Sequence, residues 1–403
     1  MSKAGPRVIT VDNDRGECRD ADFASIQEAI NAANSGDTIC VYAGVYYENL
    51  VINKTLSLIG QGPRLTIIRN RLNATSPAIY VTANNTVIRG FCVAEETYVS
   101  ELKEAAPPRM IGIYISNAHC NEISYNIFVN NHIGICLNSS NNNVIHHNNF
   151  LGNTIQAYTY NSFGNMWDGG YPSGGNYWSD HVVVELIPEL FGGGKRYGGP
   201  GGIDLHGGPY QNETGSDGIS DVPYTINADN KDRYPLMDLV NLFIDGWLEV
   251  PGWINIVSNS TISDFCLNLN ETFIRFKVSG EGGTTGYCRV VLPKRILRTE
   301  NNQWTVLIDG EPVDPRVAED VNNTCLYFTY NHSVRTVEIR AVRVVQEPID
   351  EENPPTPTPP TQTPTPEPLP ITWIAAIVII AISIVITLGV LIYRKRLMSN
   401  KSP

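Results

Sequence analysis

The chain has 403 residues, 42% hydrophobic and 17% charged, enough for two or three domains and too apolar for a disordered polypeptide. A net charge of −12 argues against a nucleic-acid partner, whose recognition concentrates Lys and Arg. The eight cysteines contain no CxxC pair, which disfavours a zinc ribbon or a thioredoxin-like site.

Residues 22–36 predict a short amphipathic helix. Ile26, Ala29, Ile30 and Ala33 share one face, Ser25 and Glu28 are spaced as a capping box, and Gly36 stands as the stop. Thr38 to Val41 and Leu56 to Gly60 then read as the first strands. The clearest signal is a repeat between residues 111 and 165. Gly112-Ile113-Tyr114-Ile115 returns as Gly134-Ile135-Cys136-Leu137, and Ile123, Asn126, Phe128 and Asn131 return as Ile145, Asn148, Phe150 and Asn153, each 22 residues later. A weaker turn places Ile155, Ala157 and Thr159 in register, and an earlier one carries Ala78 to Val81 and Val87 to Phe91.

Short β-branched and aromatic runs at this period describe a solenoid whose repeats cannot close a core singly. The runs are too short for helices, leaving a parallel β-helix with rungs stacked ~4.8 Å apart. Asn126 over Asn148 and Asn131 over Asn153 then form side-chain ladders at turns needing left-handed backbone, which Asn tolerates. The helix covers the N-terminal end of the coil.

Residues 241–346 change texture. Alternating runs such as Phe273 to Val278, Cys288 to Leu292, Trp304 to Ile308 and Thr324 to Tyr330, between Gly and Asn turns, predict a small antiparallel sandwich. Residues 347–370 hold ten prolines interleaved with threonines and predict an extended stalk, a bare or O-glycosylated spacer. Ile371 to Tyr393 is 23 residues without a charge, which predicts one transmembrane helix. Arg394, Lys395, Arg396 and Lys401 in the 394–403 tail place that tail in the cytoplasm and the larger part outside the cell. Met1 to Arg7 contains no apolar export segment. The expectation is a start placed too late or a fragment, with a cytoplasmic tail-anchored protein as the alternative.

Phe23, Ser25-Ile26-Gln27, Ala29-Ile30, Gly36-Asp37-Thr38-Ile39, Ala43-Gly44, Tyr46 and Leu56 to Gly60 resemble the N-terminal pattern of the pectin-lyase-like right-handed β-helix superfamily. The 22-residue rungs, Gly175 to Asp180, Asp217 to Ile226 and Asp232 to Leu236 are similar to the NosD-type proteins numerous on archaeal surfaces. The resemblance covers residues 8–240, apart from a Gly-rich insertion at about 191–208. It implies an all-β right-handed parallel β-helix with an N-terminal helical cap. Residues 241–346 look like the immunoglobulin-like module found beside the stalk in archaeal envelope proteins.

For chemistry, the rungs are poor in charge: between Ile111 and Asn165 the formally charged residue is Glu122. Hydrolysis and lyase chemistry need paired carboxylates, or an acidic cation cluster with a base, so no catalytic residue is assigned. Trp167, Asp168, Tyr171, Tyr177 and Trp178 form the densest aromatic patch, suited either to stacking sugars or to plugging the C-terminal end of the coil. Asp180, Asp217 and Asp221 are candidate Ca2+ ligands, the alternative being Asp side chains that cap turn amides.

His119, His132, His146 and His147 lie in the rungs, and His146 and His147 are expected on opposite faces of a strand. Glycosylation sequons fall at Asn53, Asn73, Asn84, Asn138, Asn212, Asn259, Asn270, Asn322 and Asn331. The cysteines Cys18, Cys40, Cys92, Cys120, Cys136, Cys266, Cys288 and Cys325 are compatible with extracellular disulfides. The expected function is a membrane-anchored surface protein displaying a β-helix head to glycans or cell-envelope components. A polysaccharide lyase or hydrolase, or the metal-site accessory role that the NosD resemblance implies, are the alternatives.

Overall fold

The computed structural model describes residues 5–70, 76–94, 110–181, 202–243, 253–299 and 303–341. All of them lie in one compact unit, Met1–Val345. The stalk, the Ile371–Tyr393 span and the tail lie outside the described residues, as do residues 191–201 of the Gly-rich insertion. Among the described residues no helix is long and apolar enough to cross a membrane.

Three parallel sheets form the coil. The first runs Val8–Val11, Thr38–Val41, Ser57–Gly60, Val87–Arg89, Glu122–Ser124, Val144–His146. The second runs Gly44–Tyr47, Thr66–Arg69, Cys92–Ala94, Ile127–Val129, Asn149–Leu151, Tyr177–Trp178. The third runs Leu50–Ile52, Ile79–Val81, Ile111–Ser116, Ile133–Asn138, Ile155–Tyr160. The chain visits one strand of each sheet per turn, so equal repeat positions stack. Ile39, Leu58, Ile88, Ile123 and Ile145 form one inward column. Tyr46, Ile68, Val93, Phe128, Phe150 and Trp178 form another. Every residue in both columns is essentially buried, which removes apolar surface from water at about 25 cal/mol per Å2.

The expected helix is Ile26–Ala32, with Ser25 as N-cap accepting from Glu28 N. The carboxylate that completes the cap comes from elsewhere: Glu48 accepts from Ile26 N, Gln27 N and the Ser25 hydroxyl. Gly36, at φ 97°, lies beyond the helix end at Ala33.

Asparagine ladders line the corners. Asn121 N donates to Asn143 Oδ1 and Asn143 N to Asn165 Oδ1, both at 2.9 Å. At the next corner Asn126 N donates to Asn148 and Asn148 N to Asn176, both at 3.0 Å. At the third, Asn131 N donates to Asn153 at 2.9 Å. The left-handed residue is the one before the ladder position rather than the ladder Asn itself. Cys120, Tyr125, Asn130, Asn142, His147, Gly152 and Gly164 all have φ between 50° and 64°. The ladder amides satisfy backbone groups that a buried turn would otherwise leave without partners.

The second body is a sandwich of two five-stranded antiparallel sheets. One runs Val240–Phe243, Ile254–Val257, Thr285–Pro293, Asn323–Asn331, Arg316–Glu319; the other runs Thr261–Asn268, Phe273–Ser279, Arg335–Ala341, Trp304–Ile308, Glu311–Val313. Their inner faces share a core that includes Phe276, Val290, Leu326 and Ile339. The sandwich clamps the coil. Arg289, 1% exposed, donates to Ser173 O at 3.2 Å, Asp217 O at 3.1 Å and Pro172 O. Trp253 meets Tyr125 edge-on and lies under the Arg89 guanidinium. The side chain of Asn149 pairs with both N and O of Val240.

Candidate functional site

The aromatic patch predicted from sequence turns inward. Trp167 and Trp178 are fully buried, and Asp168 and Tyr177 nearly so. Phe128, Phe150, Trp178 and Tyr224 stack in one file, with centroid separations of 5.0, 4.3 and 4.1 Å. Tyr224 comes from a hairpin, Tyr224–Asn227 with Asn230–Asp232, that closes the coil. Asn230 Oδ1 accepts from Trp167 Nε1 and from Asn165 Nδ2, ending one ladder. Asp232 ends the next: its Oδ2 accepts from Asn176 N and Nδ2 and from Trp178 Nε1, and its Oδ1 from Tyr234 N.

These rings are therefore the plug of the two uses anticipated, because a sugar cannot reach faces already covered by protein. Tyr171 packs against Tyr234 at 6.2 Å. Asp168 holds Arg233 through a bidentate pair. Burial, and then the neighbouring Asp168 charge, push the Asp232 carboxyl up to about 8, against the N–H donors that favour its ionised form. Asp168 and Asp232 are thus two neighbouring carboxylates, both buried.

The three candidate Ca2+ ligands are engaged separately. Asp180 accepts from the Tyr224 hydroxyl. Asp217 accepts from Gly208 N, Ile219 N and Gln211 Nε2. Asp221 accepts from Leu205 N, His206 N and His206 Nδ1. For Asp217 and Asp221 this is the amide-capping arrangement anticipated as the alternative. Among the described residues, the side chains that bring three ligand atoms within 4.8 Å of one another are Asp12, Asp14 and Glu17 instead.

His146 and His147 do not point apart as expected. The strand ends at His146, and His147 takes φ 54°, which swings its ring back until the two Nδ1 atoms are 2.6 Å apart. His147 Nε2 lies 3.0 Å from Ser173 O. It must donate there, so its Nδ1 accepts and His146 carries the proton between the rings. Tyr125 stacks on His147 at 5.0 Å, and His146 Nε2 is 3.8 Å from Glu122. Burial lowers both imidazole pKa values, His147 well below 6.5. His119 Nδ1 accepts from Asn141 N, on the next rung. The eight cysteines are all unpaired. Of the sequons, Asn73 lies outside the described residues, Asn138 is half-buried, and the other seven are exposed.

The outward face of the third sheet, on which Cys136 and Ser116 are buried and the last strand is exposed, is a surface that sequence reasoning passed over. Tyr80, Tyr114, Cys136 and Tyr158 occupy one column. Ser116, Asn138 and Tyr160 occupy the next. Tyr158 is 47% and Tyr160 58% exposed, because Ile155–Tyr160 is the last strand of its sheet. Tyr80 and Tyr114 stack at 5.5 Å, and Asn138 Nδ2 donates to the Tyr114 hydroxyl at 2.8 Å. The signal was present in the repeat, whose equivalent outward position is tyrosine in three turns. A separate cavity of about 440 Å3 lies where Arg64, Ile127 and Leu151 of the coil face Val240 and Phe243. None of the predicted site residues lines it.

Parallel rungs, asparagine corners and an aromatic plug define a parallel β-helix protein. Residues 106–182 match the family profile described as "Periplasmic copper-binding protein (NosD)", and over that stretch the chain is similar to NosD-type β-helix proteins. No curated protein sequence matches the chain. Among solved structures, the pectin methylesterase PemA from Erwinia chrysanthemi is similar at 11% identity and TM-score 0.28, over 37% of this chain and 56% of that one. A pectin methylesterase from Aspergillus niger is similar at 15% identity and TM-score 0.22, over 44% and 72%. The chain thus spans little more than half the length of the first of these.

Among the described residues, the set of three ligand atoms does not have the donor chemistry that suits the copper in the family description. Asp12, Asp14 and Glu17 are hard oxygen donors of the kind that suit Ca2+ or Mg2+, and Asp12 already accepts from Asp14 N, Arg15 N, Glu17 N and Cys18 N. His146 and His147 are bonded to each other.

Proposed function

We propose that the coil is a binding head that holds glycan or other cell-envelope components on the outer face of its third sheet, without cleaving them. The stalk and the Ile371 to Tyr393 span would keep it at a membrane, facing outward. The observation that carries this reading is the exposure of Tyr158 and Tyr160 beside the amide of Asn138, on a regular face with no catalytic carboxylate pair. Rings next to amide and hydroxyl groups suit sugar recognition. The test is co-sedimentation of the full-length protein with a panel of polysaccharides, alongside an assay for new reducing or unsaturated ends. Retention that falls at least about tenfold in the Tyr158→Ala, Tyr160→Ala double variant, a loss of about 1.4 kcal/mol, is expected. New chain ends would overturn the non-catalytic reading.

A further inference from the structure

The geometry points to a second site, at one end of the sandwich, where Ser260 is a nucleophile and His332 its general base, together hydrolysing esters of short carboxylic acids. This site stands apart from the binding face of the coil and does not depend on it. Ser260 precedes the strand Thr261–Asn268, Thr284 precedes Thr285–Pro293, and His332 follows Asn323–Asn331, so the three side chains meet where these strands begin and end. Tyr330, on the last of them, is in register with Gly286. Glycine at 280 and 286 leaves room for the imidazole: a Cβ would lie 2.5 Å from His332 Nε2 at the first position and 2.7 Å from His332 Cδ2 at the second.

The hydrogen bonds fix where each proton lies. Thr284 Oγ1 donates to Glu281 O at 2.7 Å, and a carbonyl only accepts. Thr284 Oγ1 therefore accepts from His332 Nδ1, 2.5 Å away. Nε2 of the neutral ring is then without a proton and accepts from the Ser260 hydroxyl at 2.7 Å. The Ser260 oxygen in turn accepts from the Tyr330 hydroxyl, also at 2.7 Å. Tyr330, Ser260, His332 and Thr284 thus donate in one direction along a single chain. A serine hydroxyl bonded to a base, with that base held in one tautomer by a third group, is the arrangement that activates the oxygen for attack. Burial raises the Tyr330 pKa, which keeps its phenol protonated and a donor.

In the reaction, Ser260 Oγ bonds to the ester carbon while its proton passes to His332 Nε2. The bond to the leaving alcohol breaks, and the alcohol oxygen takes that proton from Nε2. Water then attacks the acyl-serine and gives a proton to Nε2; the carboxylic acid departs and Ser260 recovers its hydrogen. The Tyr330 hydroxyl, released from Oγ, is within reach of the carbonyl oxygen as it becomes negative. Ser260 and His332 are each 8% exposed, beside the exposed Asn259, Thr261 and Thr284. Entry is from this loop side and suits a short acyl chain.

The test incubates the full-length protein with p-nitrophenyl acetate, following p-nitrophenolate release and, by peptide mass, the residue that carries the acetyl group. Acetylation of Ser260, then loss of the acetyl group to water, is expected. Ser260→Ala should abolish both, and His332→Gln should slow acetylation at least about a hundredfold. Thr284 is a positioning residue: Thr284→Val should slow acetylation, while Thr284→Ser, which keeps the hydroxyl, should retain it. Urea unfolding of each variant separates loss of the site from loss of the fold. Acetyl groups on lysine or tyrosine in place of Ser260, or Ser260 acetylated equally fast in the His332→Gln protein, would overturn the assignment. An acetyl group that stays on Ser260 would overturn hydrolysis and leave the nucleophile standing.

Discussion

Replacing Asn148 by leucine removes the centre of a ladder while nearly preserving side-chain volume. Asn148 is fully buried. Its Oδ1 accepts from Asn126 N at 3.0 Å and Asn126 Nδ2 at 3.2 Å, and its Nδ2 donates to Ile123 O at 2.8 Å and His146 O at 3.1 Å. Asn126 Nδ2 keeps a second acceptor in Ile88 O, and Asn148 N still reaches Asn176. The Ile123 carbonyl keeps its place in the parallel strand ladder, so the group stranded by leucine is chiefly the Asn126 N–H. At ~1–3 kcal/mol for a buried group left without a partner, the expected loss is about 1 to 3 kcal/mol. Urea denaturation followed by tryptophan fluorescence reports it, since Trp167 and Trp178 sit in the core that the ladder supports. Asn85→Gly is the control: the position is exposed and its φ of 54° suits glycine, so a change within ~0.5 kcal/mol is expected. A loss below ~1 kcal/mol for Asn148→Leu would refute the argument that the ladders hold the rungs together.

Three further outcomes follow from the same structure. Because burial lowers the pKa of His146 and His147, the unfolded chain takes up protons first as pH falls below 6.5. Stability should then drop at up to about 1.4 kcal/mol per pH unit for each proton, and His147→Asn, which keeps the left-handed turn, should flatten that slope in urea titrations. Asp232 acts in the opposite sense: with its carboxyl raised from 3.8 to about 8, the folded state holds the extra proton between those values. Its contribution declines as pH rises through that window, and Asp232→Asn should remove this decline. Arg289→Met takes a donor from the Asp217 and Pro172 carbonyls, while Ser173 O keeps His147 Nε2, and it removes the charge that partly offsets the burial raising the Asp217 pKa. A loss of about 3 to 5 kcal/mol is expected, with faster hydrogen exchange along Thr285–Pro293.

Much of the coil was legible because its physics is periodic. The pairs Ile113 with Ile135, Ile123 with Ile145 and Phe128 with Phe150 are 22 residues apart in sequence and adjacent in register. The stacking of Asn126 over Asn148 followed from the same count. What escaped depends on where single residues bend the backbone or on partners remote in sequence. The left-handed position precedes the ladder Asn, so residues as unlike as Cys120, Tyr125 and His147 occupy it without a common signature. His147 in that position brings two rings together that strand alternation would separate. Asn230 and Asp232 end ladders 65 and 56 residues away, from Asn165 and Asn176, and no spacing rule links them. For the site, the tryptophans drew attention by their density, yet density of large rings at a solenoid end is what closing an apolar channel requires. The tyrosines of the third sheet, Tyr80, Tyr114, Tyr158 and Tyr160, were spread over separate turns, and gather only when the turns are stacked.

The ladders and their terminators also bear on how such a coil changes length. Each interior turn hands one hydrogen-bonded asparagine to the next, while Asn230 and Asp232 bind whatever turn comes last. A 22-residue segment such as 123–144 could be duplicated or excised as a unit, leaving both ends chemically unchanged. The outward column of the third sheet would lengthen or shorten by one position with it, Cys136 in the case of 123–144. Length of the coil and integrity of the fold are in this way separate variables, and the first can drift over evolutionary time in whole turns without testing the second.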